Sequence, residues 1–261
     1  MRGGEKKLFF VFIAKPARHN RRVIGAFLNT LGILLGAIFG LAWRGQWSAH
    51  AQNQIKSLLG AFTALCGLQL IWQNVGGSFT SVLKQLFFAV LALVLGNLIG
   101  KILGLQKFSN RLGRHAATLI AAAETTTPQP ASGFIVATIL FCAAPLGILG
   151  AVTDGLSNYF YPLVLKAVMD GLATLSFVKI FRWPVAFAAA SVFFFLNDIT
   201  LVVHTFALPW LDADHALHSV NVAAGLIICA TTLVVLEVRR VELANYLPAL
   251  AVAPVLVRLF A

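Results

Sequence analysis

Charge is scarce in this chain. Only 11% of its 261 residues are charged, against about one quarter in a soluble globular protein. A water-facing globule of this size could not solvate its outside with so few, so a soluble fold is excluded and a membrane protein is implied. Acidic residues are the rarest charge, 9 against 20 basic. The surplus would suggest nucleic acid on a soluble protein. Here the basic residues fall in short segments between apolar runs, where such charge sets orientation or meets anionic headgroups, so no nucleic-acid partner is expected. Cysteine is limited to Cys66, Cys142 and Cys229. All lie within apolar runs, which excludes a disulfide framework and a structural zinc site. There is no Walker loop, no His-Glu-x-x-His, no Gly-x-Ser-x-Gly and no dinucleotide fingerprint. An enzyme and ATP-driven transport by this chain alone are disfavoured, and no cofactor is expected.

What the chain has is apolar length. Hydrophobic residues make up 59% of the sequence, gathered in runs at roughly 23–43, 55–73, 82–105, 133–152, 159–181, 184–210, 219–237 and 243–260. Runs this long, without two-residue alternation, predict membrane-crossing helices rather than barrel strands. The expected fold is an all-α polytopic bundle of about eight transmembrane helices. Pro248 and Pro254 interrupt the last run. Residues 1–22 form a basic tail, too short in apolar length to span and without a small-residue cleavage site. Residues 106–132 are the one long polar segment, with Lys107, Arg111 and Arg114 in a first half suited to an amphipathic surface helix and a linker in the second. They divide a three-helix unit, 23–105, from a five-helix unit, 133–260.

Loop charge predicts orientation. The connections after the first, third, fifth and seventh runs carry Arg44, Lys56, Lys101, Lys107, Arg111, Arg114, Lys179, Arg182, Arg239 and Arg240. The other connections offer Lys84 with Asp154, Asp212 and Asp214. The positive-inside rule makes the first set, including 106–132, cytoplasmic and puts both termini outside; the basic tail argues the other way. The first and sixth runs share Phe27-Leu28-Asn29-Thr30 and Phe195-Leu196-Asn197-Asp198, and the second and seventh carry Cys66 and Cys229 in similar Gly-rich settings. An inverted repeat of runs 1–3 and 6–8 would follow, the plan of many secondary transporters.

Glycine recurs at four-residue spacing, Gly32, Gly36 and Gly40 in the first run and Gly96, Gly100 and Gly104 in the third. Gly147, Ala151 and Gly155 do so less strictly. Such faces let backbones approach closely, within the chain or in a homodimer. Ionisable residues at membrane depth are costly and therefore candidate sites. Lys166 and Asp170 lie one helical turn apart, either a self-neutralised structural pair or an ion site tuned by the lysine. Asp198, beside Asn197, has no close charged partner in sequence and is expected to face the bundle interior near Lys166 or Asn29. Asp154 falls at a helix end, and Asn29, Thr30, Gln69 and Asn97 are neutral polar groups for packing or ligand contact. Asp212, Asp214, His215 and His218 resemble a metal cluster, but one short loop supplying every ligand points to a solvated, pH-sensitive loop.

These segments also carry a likeness. Val23 to Gly32, Leu140-Phe141-Cys142 through Gly147-Ile148-Leu149-Gly150 to Asp154-Gly155-Leu156, Lys166 to Gly171, and Ala244 to Leu250 resemble the YqgA/YdfK-like bacterial membrane family, domain of unknown function 554. The resemblance runs over about residues 23–260, in order, with its most specific part in the two Asp-Gly blocks. It implies a multi-pass protein of the bacterial inner membrane and names no substrate. Members begin near Val23, so residues 1–22 depart from the pattern. The expected function is a secondary transporter or channel for a small solute or ion, with Asp198, Asp170, Lys166, Asn197, Asn29 and Asp154 at its site. The alternative is a membrane scaffold that assembles through its glycine faces.

Overall fold

The structure is a computed structural model and describes residues 24–42, 45, 48–125, 130–212 and 216–260. The basic tail at 1–22, the linker residues 126–129, Asp214 and His215 lie outside them. Among the described residues all regular structure is helical. The order is α1 (Ile24–Ala42), α2 (Ala49–Asn74), α3 (Phe79–Leu103), α4 (Leu105–Thr125), α5 (Pro130–Ala143), α6 (Pro145–Ser157) and α7 (Tyr161–Phe181). A 3₁₀ turn at Trp183–Phe187 leads into α8 (Ala188–Val202), which continues through a π-helical turn, Val203–Ala207, into α9 (Leu208–Asp212). Then come α10 (Ala216–Val235), a 3₁₀ turn at Leu243–Tyr246 and α11 (Ala249–Phe260).

The helix ends follow local chemistry. Ser48 and Ser78 cap α2 and α3, their hydroxyls accepting from the Ala51 and Ser81 N–H groups at 3.2 and 3.4 Å. Gly104 closes α3 at φ 67°, where a side chain would be strained. Among the described residues six helices are long and apolar enough to cross a membrane, and the pair α5–α6 makes a seventh if counted as one span, against about eight expected. The remaining apolar run is α7, which carries Lys166, Asp170 and Lys179. The outside of the bundle is apolar, with Trp72, Phe79, Ile102 and Phe206 almost wholly uncovered. A surface of that kind suits lipid and not water.

The run at 133–152 is not one straight helix. It is two, bent by 57°, and the second reaches Ser157. Pro145 is the reason. It has no N–H to continue the ladder of α5, and it drives the preceding residue extended; Ala144 sits at φ −67°, ψ 120°. The polar segment is helical beyond its first half: α4 is amphipathic and runs on to Thr125, with Ala116, Leu119, Ile120 and Ala123 against the core where a linker was expected.

Glycine decides how the helices meet. A Cβ on Gly32 or Gly36 would run into the backbone carbonyls of Ala167 and Gly171, so α1 lies directly on α7. Gly67 and Gly225 do the same for α2 on α10, and Gly96 and Gly100 bring α3 onto Ala249 and Asn245. The regular glycine faces are thus covered within the chain, except at the cap Gly104, where the space is open.

Candidate functional site

Four helices converge where α5 breaks into α6. On α7, Lys166 and Asp170 stand at i and i+4, 1% and 7% exposed. The Lys166 ammonium donates to Asp170 Oδ2. Asn29 of α1 donates its Nδ2–H to the same oxygen at 3.2 Å. From α5, the Phe141 ring centroid lies 5.7 Å from Lys166 Nζ, within cation–π range. Gly147, in the first turn of α6, packs so tightly on the Lys166 stem that any side chain there would overlap it. Thr174 donates to the Asp170 backbone carbonyl at 2.7 Å and stiffens that turn.

Taking both charges of such a pair out of water costs several kcal/mol per ion, and Coulomb attraction repays that only with good geometry and further hydrogen bonds. The Asn29 amide and the Phe141 face supply that support. Asn29 Oδ1, however, is buried with no hydrogen-bond partner among the described residues.

A second acidic group lies towards the other end of α6. Asp154 is 2% exposed, and the group turned to its carboxylate is the backbone N–H of Gly25, short of full hydrogen-bond geometry. It faces Gly25 in the first turn of α1, one turn from Asn29 on the same helix. Thr153 beside it donates to the carbonyls of Gly150 and Tyr159 at 3.0 and 3.1 Å. Asn158, at φ 53°, caps α6 and turns the chain into α7.

The family model "Protein of unknown function (DUF554)" matches residues 24–258. The chain belongs to that family. Among its relatives, the uncharacterized membrane protein YdfK of Bacillus subtilis strain 168 is 23% identical over 235 residues, covering 90% of this chain and 96% of that protein. The uncharacterized protein YqgA of Escherichia coli K12 is 24% identical over 233 residues, covering 88% and 94%. No solved structure matches.

The other predicted residues scatter. Asp198 does not face the interior; it is exposed on α8, beside the uncovered rings of Phe194 and Phe195. The reason is register. Val192, Leu196 and Thr200 turn to the core at four-residue spacing, and a residue two beyond Leu196 points about 200° away. Asn197 is half-buried, its Oδ1 without a partner among the described residues. Neither residue joins Lys166 and Asp170. His204, in the π turn, meets the Gly155 carbonyl through Nδ1 at 3.1 Å. Thr30 donates to its own helix at Ala26, 2.9 Å away.

Sequence reasoning missed a polar chain between α2, α6 and α10. Asn221 donates to Asn74 Oδ1 and Ser157 donates to Asn221 Oδ1, each at 2.9 Å, while His218 Nδ1 lies 3.1 Å from the same Asn74 oxygen. It missed Tyr159 too, 5% exposed, whose hydroxyl donates to the Cys66 carbonyl at 2.6 Å and lies 3.3 Å from Gln69 Oε1. Asn221 follows His218 by one turn and could have been found; nothing in sequence pairs Tyr159 with Cys66. Among the described residues no group of three or more His, Cys, Asp or Glu could hold a metal.

Proposed function

We propose that this protein is a secondary transporter for a small solute or ion in the bacterial inner membrane, with its site at the break between α5 and α6. One observation carries the proposal: a buried Lys166–Asp170–Asn29 group sits beside a discontinuous, apolar helix pair. Broken helices beside polar interior residues are the usual construction of transporter sites, since helix ends freed at membrane depth need polar partners. In this reading Asp170 exchanges its lysine partner for a transported or coupling cation, Lys166 resets the site once the cation leaves, and Asn29 holds the carboxylate oxygen in both states. Asp154, buried against the start of α1 at Gly25, lies on the route along α1 and α6.

The experiment is reconstitution on a solid-supported membrane, with jumps of pH, sodium, small carboxylates and amino acids. A saturable, protein-dependent current is expected for at least one jump. It disappears in the Lys166→Met/Asp170→Leu double variant, which removes both charges without stranding either. Silence under every jump, or a current that the double variant keeps, overturns the proposal.

Two further elements belong to the same reading. Both termini lie outside and 106–132 lies in the cytoplasm, from the distribution of loop arginine and lysine. A C-terminal alkaline phosphatase fusion is then active and the GFP fusion dark; the reverse pair refutes the orientation. The inverted repeat, α1–α3 onto α8, α10 and α11, draws support from one crossing, where a Cβ on Gly67 would meet the Gly225 carbonyl and one on Gly225 the Gly67 carbonyl. The scaffold alternative rests on Asp198, a carboxylate on an exposed apolar helix face, which a second copy could cover. A dimer by mass in detergent that Asp198→Leu alters would favour that alternative.

A further inference from the structure

We infer that the groove between α3 and α10 binds an anionic phospholipid. The groove has a volume of about 410 Å³, and its lining is graded along the helix axes. Lys101, Arg239 and Arg240 form its rim, all three exposed and with no ion-pair partner among the described residues. The acid that lines the groove with them, Glu242, is engaged by Asn245 Nδ2 at 2.7 Å.

One turn below Lys101 on the same face of α3 comes Asn97, and a further turn below that comes Leu93. Opposite them α10 descends from Leu233 through Ala230 to Leu226. Charge, then a neutral amide, then hydrocarbon follow one another over about 12 Å, eight residues at 1.5 Å each. A membrane phospholipid has the same order: phosphate, ester carbonyls, acyl chain. The rim meets the phosphate, and the Asn97 amide lies at the level of the esters, where its N–H₂ can donate. Asn97 Oδ1 is buried and without a partner among the described residues, so the amide is not committed elsewhere through its oxygen. Free phosphate would use the rim and leave the apolar walls idle. The length of those walls argues for lipid.

Basic pockets between membrane helices gain roughly 1 kcal/mol per lysine or arginine from anionic headgroups, about fivefold in affinity. Full-length protein in neutral detergent is titrated with phosphatidylglycerol, phosphatidylcholine or inorganic phosphate, with melting temperature and native mass spectrometry as readouts. Phosphatidylglycerol is expected to raise the melting temperature and to leave an adduct, and the other two to do neither. Lys101→Gln/Arg239→Gln/Arg240→Gln weakens that adduct by on the order of 100-fold, while Lys84→Gln/Lys107→Gln/Arg111→Gln, away from the groove, keeps it. Ala230→Trp retains every charge and fills the apolar wall; it also loses the adduct. Equal stabilisation by phosphatidylcholine overturns the charge requirement, and equal stabilisation by inorganic phosphate overturns the lipid. An adduct that survives Ala230→Trp overturns the groove, and this decides the matter even if the triple variant does not fold.

Discussion

Two helix crossings of this protein use one device for different contents. At α1–α7, Gly32 and Gly36 let the backbones touch; at α2–α10, Gly67 and Gly225 do. Around the second crossing no charged side chain is buried among the described residues, with Cys66, Leu70, Ile227 and Ile228 in the core and Tyr159 tied to the Cys66 carbonyl. Around the first crossing lie Lys166, Asp170 and Asn29. Small residues alone therefore explain how the helices approach, because packing and not hydrophobicity holds helices together in lipid. They do not explain why one crossing encloses charge. A structural role could be filled at lower cost by apolar side chains of the same volume, as the α2–α10 crossing illustrates.

The sharpest way to separate the two crossings is to strand a charge. Asp170→Leu leaves Lys166 buried and unpaired, with an expected loss of about 3–5 kcal/mol, read as a large fall in melting temperature in detergent. The double variant Lys166→Met/Asp170→Leu recovers most of that loss. If the double variant melts as low as the single, the pair is structural glue and the contrast between the crossings collapses.

Next come the glycines. Gly36→Leu and Gly67→Leu each force apart two backbones, at a cost of about 1–3 kcal/mol or more from overpacking. Equal destabilisation by thermal unfolding is expected, since the device is shared. Only Gly36→Leu should disturb reconstituted currents beyond what lost protein accounts for.

Tyr159→Phe removes the buried hydrogen bond to the Cys66 carbonyl from the uncharged crossing and should cost about 1 kcal/mol, with currents per folded molecule unchanged. A fall in those currents would carry function into the α2–α10 side. The smallest effect belongs to Asp198→Asn. Exposed on α8, it should change stability by no more than about 0.5 kcal/mol, measured by the same unfolding, and a larger loss would mean that a partner covers that face.

Asp198 shows where legibility in sequence ends. Hydropathy locates every apolar run, because a span must be long and apolar wherever it packs, and the i, i+4 spacing of Lys166 and Asp170 follows from helix geometry alone. Which side of a helix faces inward is another matter. In a soluble protein polar residues mark the outside, but in lipid both faces are apolar and the pattern loses its contrast. Asn197 and Asp198 looked alike in sequence, yet the register of Val192, Leu196 and Thr200 leaves Asp198 outside.

The break at Ala144 was legible in principle, since proline interrupts a helix wherever it falls. In the hydropathy pattern Pro145 is nonetheless hidden within a continuous run, because its neighbours on both sides are apolar.

What the amino-acid sequence by itself determined is therefore the solvent, the helices and the family: scarce charge and long apolar runs leave few other folds, and residues 24–258 follow the family pattern in order. What only the tertiary structure decided is the pairing. Asn29 and Asp170 are 141 residues apart, Gly67 and Gly225 meet across most of the chain, and the bend at Pro145 places Gly147 and Phe141 around Lys166. No local propensity encodes such meetings. They arise because two backbones in close contact fix which distant side chains share the space between them.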